Sequence, residues 1–390
     1  MKVVFVSNYY SQHQKEFSIN MSLYTNNEFY FIETCEMNTE REKLGWKMYD
    51  IPSYVIKSHT SDEDFNRCQK LIDDADVVII GSAPYKLIEN RLKEKKLTFL
   101  YSERIYKIGF KWYKMPLRIL LHYLKFGRHK SLYMLCASAF TASDYSKTFT
   151  FLKRAFKWGY FPPIKKYDDL DKLIENKKKK SILWCARFID WKHPEMAVEL
   201  AYQLKNAGYE FNLTLLGNGE LYEKIKSEVE NRGLCDYVSL PGSVKQDEVR
   251  SYMEEAEIFI FTSDKNEGWG AVLNEAMNSA CAAVASHQIG SAPFLIKDKE
   301  NGLIFKNQDI DDLYNKVTWL IDNEDERKKI SKKAYITVTN EWNAANATVK
   351  FLKLAKEILD NGKTELFESG VCSRAEILSD RWYKGEKNIN

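Results

Sequence analysis

Residues 258–286 read IFIFTSDKNEGWGAVLNEAMNSACAAVAS, and this stretch sets the fold class. Ile258 to Ser263 reads as a strand apolar on both faces, and the turn Glu267-Gly-Trp-Gly270 reads as a helix entry. Gly270 to Ser279 then reads as a helix and Ala282 to Ser286 as the next strand. A strand, a helix and a strand in immediate succession form the unit of a parallel sheet covered by helices.

The same rhythm extends outward. Ser181 to Arg187, Phe211 to Gly217 and Val238 to Leu240 read as strands, and His193 to Lys205, Glu220 to Asn231 and Gln246 to Ala256 as helices. Upstream, Val3 to Ser7, Phe29 to Ile32, Val77 to Gly81, Thr98 to Tyr101 and Met134 to Ser138 read as strands of an earlier domain. Between the halves, residues 165–180 (KKYDDLDKLIENKKKK) are almost wholly polar and read as a linker. The expected fold is α/β, two doubly wound Rossmann-like domains facing each other across a cleft, with ligands at the carboxyl ends of the strands. The predicted boundaries are 1–164, the linker 165–180, 181–340, and C-terminal helices over 341–390 that pack back towards the first domain.

Composition agrees with two cores. The chain has 390 residues, 44% of them hydrophobic and 14% aromatic, too many for one ordinary core. The net charge of +3 arises from 58 basic and 55 acidic residues, so the placement of charge matters more than its sum. Seven scattered cysteines without a CxxC pair fit a reducing compartment. The start, MKVVFVSNYY, reads as a strand and not as a signal peptide. No apolar run reaches the roughly 20 residues that a spanning helix requires, so the expected location is the cytoplasm.

Three strand-to-helix turns carry candidate chemistry. In the first, the helix entered at Gly268, Trp269, Gly270 and Ala271 offers free backbone N–H groups to an anion. Glu267 and Glu275 flank that entry, and as carboxylates beside an anion site their partners are hydroxyl groups. In the second, Arg187 and Lys192 can grip a diphosphate and stabilise the charge that develops as it departs. The third is Leu216-Gly217-Asn218-Gly219-Glu220. Taken singly, each set reads as surface charge or an ordinary turn. Their shared position at successive strand ends of one sheet turns the reading towards a site.

These residues resemble the donor-binding domain of the retaining GT-B glycosyltransferases of family 4, from about residue 181 to 310. Arg187 and Lys192 match the family's Arg-x4-Lys, Glu267 and Glu275 its Glu-x7-Glu, and LLGNGE and LPGSV its intervening turns. The resemblance implies that Arg187 and Lys192 contact the donor diphosphate, Glu275 the ribose and Glu267 the transferred sugar. Backbone groups around Gly217, Asn218, Gly242 and Val244 would hold the base. It implies a nucleotide diphosphate sugar as co-substrate, no cofactor and no metal, since no Asp-x-Asp follows a strand nearby. The implied activity is transfer, with retention, to a glycan or lipid-linked acceptor held by the N-terminal domain, in surface polysaccharide biosynthesis. Two alternatives stay open: a nucleotide-sugar-binding protein without transferase activity, and a GT-B epimerase.

The N-terminal half departs from the family. The loop after the first strand, Asn8 to Gln14, has no glycine, and Phe99 to Arg104 lacks the family's histidine. Ser102 or Glu103 takes that place, with Glu103 as the catalytic candidate, and His13 is a candidate contact for sugar or acceptor. Phe294 stands where the family carries an acid.

From Arg104 to Lys130 there are eight Lys or Arg and no Asp or Glu, interleaved with Phe, Tyr and Trp. This pattern suits an anionic membrane surface on the inner face of the plasma membrane. A basic helix covering its own core is the alternative, and nucleic acid is not an expected partner.

Overall fold

The structure is a computed structural model that describes residues 1–39, 42, 48–107, 109 and 112–385. It divides into two compact units, Met1–Pro163 with Trp342–Asp380, and Ile164–Glu341 with residues 381–385.

The N-terminal unit is built on β1 (Val3–Ser7), β2 (Phe29–Glu33), β3 (Val55–Lys57), β4 (Val77–Ile80), β5 (Thr98–Ser102), β6 (Leu132–Cys136) and β7 (Ala155–Lys157), in the order β3-β2-β1-β4-β5-β6-β7. Neighbouring strands run parallel. The sequences VVFVS and VVII are buried along their whole length, as strands covered on both faces must be. The helix Ala344–Asn361 also belongs to this unit, and its Phe351 ring lies 5.1 Å from Phe99 and 5.8 Å from Trp158.

The C-terminal unit holds β8 (Lys178–Cys185), β9 (Asn212–Leu216), β10 (Val238–Gly242), β11 (Ala256–Phe261), β12 (Ala282–Ser286) and β13 (Leu303–Phe305), in the order β10-β9-β8-β11-β12-β13. These pairings are parallel too. Its core combines Ile182, Trp184 and Ile260 from the strands with Val198, Leu200 and Leu204 from the helix Pro194–Asn206. In both sheets the order reverses direction beside the first strand, at β1/β4 and at β8/β11. Such reversal points open a crevice at the carboxyl ends of the strands.

Three expectations change. The 165–180 stretch is no linker: it contains the helix Leu170–Glu175 and the start of β8. Lys177 is buried there, and its ammonium donates to the carbonyls of Met253, Glu254 and Ser279. Polar composition hid a segment several of whose charges are paired by the fold. Second, the region 341–390 contains one α-helix among the described residues, after which the backbone bonds along β7, with Lys157 N donating to Ser373 O at 2.8 Å and Ala375 N to Ala155 O at 2.9 Å. Third, β3, β7 and β13 were absent from the sequence reading, because edge strands of three residues each leave no periodicity to detect.

Candidate functional site

The carboxyl ends of β8 and β11 converge at the reversal point of the C-terminal sheet, and most of the predicted site residues lie there. After β8 the chain turns through Ala186 and Arg187, and this turn is locked to the one after β9. Ala186 N donates to Leu216 O at 3.1 Å, Phe188 N to Asn218 O at 2.9 Å, and Leu221 N to Phe188 O at 2.9 Å. Gly217 has φ +135°, and a Cβ there would overlap the Ala186 carbonyl. Gly219 likewise lies against Phe188 O. These glycines permit two backbones to touch, and that contact presents the exposed Arg187. Gly217 N is engaged by Gly242 O at 3.0 Å, Asn218 Oδ1 accepts from Gly219 N at 2.6 Å, and Val244 follows β10 in a loop.

Lys192 ends a short 3-10 turn, Asp190–Lys192, that is stitched to the loop after β11. Thr262 Oγ1 donates to Lys192 O at 2.7 Å and accepts from Trp184 Nε1 at 2.8 Å, while Asp264 N donates to Trp191 O at 3.0 Å. The two loops therefore hold each other, and the Lys192 ammonium meets the Glu267 carboxylate in a buried ion pair. A lysine has three donors, so this pair leaves capacity for an anion.

Gly268 and Trp269 lead into the helix Ala271–Asn278. The Trp269 ring is 1% exposed, and its Nε1 donates to Asn274 Oδ1 at 2.9 Å. Its ring fixes the turn and offers no stacking surface to a ligand. Gly270, at φ +87°, is the N-cap, and no side chain caps the helix. A Cβ on Gly270 would come 2.6 Å from the Phe261 ring, so only glycine brings the strand end so close to the helix start. The first N–H groups of the helix, with its positive end, are thus left without a side-chain cap.

Glu275 lies in this helix, and burial pushes its pKa above the usual carboxylate value, with the positive charge of Arg250 opposing. Burial lifts the Cys185 thiol to about 12, with the Glu275 charge adding and the Lys192 charge opposing. Both charges thus act at the end of β8. Around the same turn, Ser263 Oγ, Asn274 Nδ2 and Ser291 Oγ are buried without a hydrogen-bond partner among the described residues. Buried polar atoms are seldom left so. His193 is the N-cap of the helix Pro194–Asn206 at φ 52°, and its pKa is raised by the hydrogen bond to Glu195.

Glu103 and His13 belong to the N-terminal unit, and one tyrosine joins them. Tyr160 donates to Glu103 Oε1 at 2.7 Å, and its ring stacks on His13 with centroids 5.0 Å apart. Lys107 Nζ lies 2.6 Å from Glu103 Oε2. Burial raises the pKa of both Tyr160 and the neighbouring Tyr101. Ser102 Oγ instead donates to the Glu103 carbonyl at 2.8 Å, so Glu103 is the one of the two whose side chain joins the cluster. Sequence reasoning missed Tyr101, Tyr160, Thr262 and Asp264. Tyr160 lies in WGYFPP, which carries no motif, whereas Thr262 lies inside the predicted strand Ile258 to Ser263 and directly follows β11, which ends at Phe261.

The 104–130 stretch is only partly at the surface. Arg104 faces Asp144 at 3.6 Å, and Arg118 lies over the Tyr106 ring at 5.2 Å. Lys111 lies outside the described residues. No helix among the described residues is long and apolar enough to cross a membrane, and no group of three or more His, Cys, Asp or Glu among them is placed to hold a metal ion.

Two Rossmann-like units with these sheets define a GT-B fold. The solved structure of Anabaena HepE in complex with UDP superposes with a TM-score of 0.69 over 92% of this chain and 100% of that one, at 14% identity. Residues 166–337 match the family described as Glycosyl transferases group 1. An uncharacterized glycosyltransferase of Methanocaldococcus jannaschii is 32% identical over 123 residues, covering 32% of this chain and 34% of that protein. The poly(glycerol-phosphate) alpha-glucosyltransferase of Bacillus subtilis is 27% identical over 216 residues, 54% of this chain and 32% of that protein. The chain spans about a third of the length of these curated relatives.

Proposed function

We propose that this protein transfers a sugar from a nucleotide diphosphate sugar to a glycan or lipid-linked acceptor in surface polysaccharide biosynthesis. The observation that carries the reading is the convergence of Arg187, Lys192 and the uncapped helix at Ala271 at the ends of β8 and β11. Fixed cations and N–H groups at such a point are complementary to a diphosphate that gains charge as its bond to sugar C1 breaks. The helix end adds roughly 0.3 to 1 kcal/mol per exposed charge. The family match over 166–337 supports the same assignment.

In this reading Glu275, as a carboxylate, accepts from the ribose hydroxyls. Glu267, held in place by Lys192, accepts from hydroxyls of the transferred sugar. The acceptor oxygen forms the new bond to C1 while its proton passes to the departing phosphate oxygen, which remains on the same face, so the configuration is retained. An alpha-linked product, as in the name of the Bacillus relative, fits retention from an alpha-linked donor. Glu103, with Tyr160 and His13, serves the acceptor side. Arg187 and Lys192 take the place of a divalent ion, and Lys114, Lys125 and the cations after them dock the N-terminal unit on an anionic membrane.

The test is release of nucleoside diphosphate from a panel of nucleotide sugars, with and without lipid-extracted acceptors. Acceptor-dependent release that persists in excess EDTA is expected. Complete loss in EDTA, restored by magnesium or manganese, would overturn the metal-independent mechanism, and no turnover with any donor would overturn the activity.

A further inference from the structure

The N-terminal unit carries an apolar face that the transfer chemistry leaves unexplained. The helix Met115–His122 buries none of its residues. Tyr113, Leu117, Leu120, Leu121 and Leu124 are 60, 62, 54, 51 and 43% exposed, and their spacing puts them on one side of a helix. A second element stands beside it. In the loop after Ser146, Phe149 and Leu152 are 70% and 50% exposed, while Phe151 is 2% exposed. Phe149 holds left-handed backbone at φ 56°, a conformation that bulky residues rarely adopt. This turn sends one ring inward and another out into solvent.

The two elements are joined. His122 Nδ1 and Thr148 Oγ1 are 2.9 Å apart, and the Phe126 and Phe151 rings 5.8 Å apart. Arg154 donates to the carbonyls of Gly127, His129 and Leu132. Lys114, Lys125, Arg128, Lys130, Lys147 and Lys153 are exposed on the same segments. Neither 104–130 nor 145–167 contains an Asp or Glu. An exposed apolar face on segments that carry cations and no acids is complementary to the interface of an anionic bilayer.

We propose that this face inserts into the headgroup region of an anionic bilayer, with the helix in the membrane plane and Phe149 and Leu152 as a second anchor. The inference rests on the docking reading above and changes its physics. Arg104, Lys107, Arg118 and Lys147 are engaged inside the unit, so insertion of apolar side chains holds the protein and Lys114, Arg128, Lys130 and Lys153 select the lipid.

Flotation with phosphatidylglycerol-containing vesicles tests it, using wild type, Leu117→Ser/Leu121→Ser and Phe149→Ser/Leu152→Ser. The wild type is expected to float and to keep much of its binding at about 0.5 M salt, where exposed charge attraction is screened within a few ångströms. Each double variant should lose about tenfold in bound fraction, since each removes several buried methylene equivalents. Unchanged flotation of the Phe149→Ser/Leu152→Ser protein would overturn the second anchor. A wild type that stays in solution, or that is a dimer which the variants dissociate, would overturn insertion itself. The melting shift given by nucleoside diphosphates is read in parallel. Its retention in the variants shows them folded, and its absence in the wild type would count against the donor site independently of lipid.

Discussion

The two units share one architecture and furnish its crevice in opposite ways. At the β8/β11 ends the loops are tied by backbone hydrogen bonds, glycines allow main chains to touch, and the cations Arg187 and Lys192 stand at their tips. In the N-terminal unit aromatic groups dominate: Tyr101, Tyr160 and His13 surround Glu103 and Lys107. A parallel sheet fixes where a ligand sits. What it binds depends on whether that place offers N–H groups and fixed charge, which suit a diphosphate, or rings and hydroxyls, which suit a sugar face.

The largest effect should come from Lys192→Ala. It removes a cation from the leaving group and strands the buried Glu267 carboxylate, so turnover should fall by a hundredfold or more, about 3 kcal/mol. Steady-state kinetics reads this, and near-normal turnover would erase the contrast between a charged unit and an aromatic one.

Gly217→Ala tests whether the turn is as tight as its geometry implies. The new methyl group overlaps the Ala186 carbonyl, and the expected cost is about 2 kcal/mol or more by denaturant titration, with loss of nucleotide binding. An unperturbed protein would mean that the loops are not locked.

Tyr160→Phe probes the other unit. Removing the hydroxyl that holds Glu103 should lower turnover about tenfold while leaving nucleoside diphosphate affinity unchanged. Loss of that affinity would contradict the separation of roles.

The smallest effect is one of pH. Burial raises the Glu275 pKa, so as pH falls this carboxylate takes up its proton before an ordinary glutamate, near 4.3, would do so. The protonated form accepts ribose hydroxyls less well. Nucleotide affinity should therefore decline towards acid earlier in the wild type than in Glu275→Gln, whose affinity is lower but lacks this titration. Parallel pH profiles in calorimetry would remove Glu275 from the ribose.

Much of the C-terminal unit was legible in its sequence because its chemistry is local. Arg187, Lys192 and Glu267 follow strand ends in the turns after β8 and β11, and Glu275 lies in the helix that the second turn enters, so strand-to-helix turns place them without long-range information. The same reading said nothing of the Trp269 ring, which packs inward onto Asn274, and could not see the Lys192–Glu267 pair, which spans 75 positions. The N-terminal cluster was harder: Glu103 and Tyr160 are 57 residues apart, and aromatic residues carry no spacing signal that separates core from site. The charge run 104–130 was visible, but not that Arg104 and Arg118 turn inward while Leu117, Leu120 and Leu121 turn out.

The central claim, that the β8/β11 ends hold a nucleoside diphosphate, is tested most directly by calorimetric titration of wild type and Arg187→Ala/Lys192→Ala with UDP and GDP. One of the two should bind the wild type with one site per chain and a dissociation constant below about 1 mM. In the double variant that binding should vanish while circular dichroism shows the protein still folded, with a melting temperature lowered by the unpaired Glu267 carboxylate. Equal binding by both proteins, or none by the wild type with either nucleotide, would contradict the account.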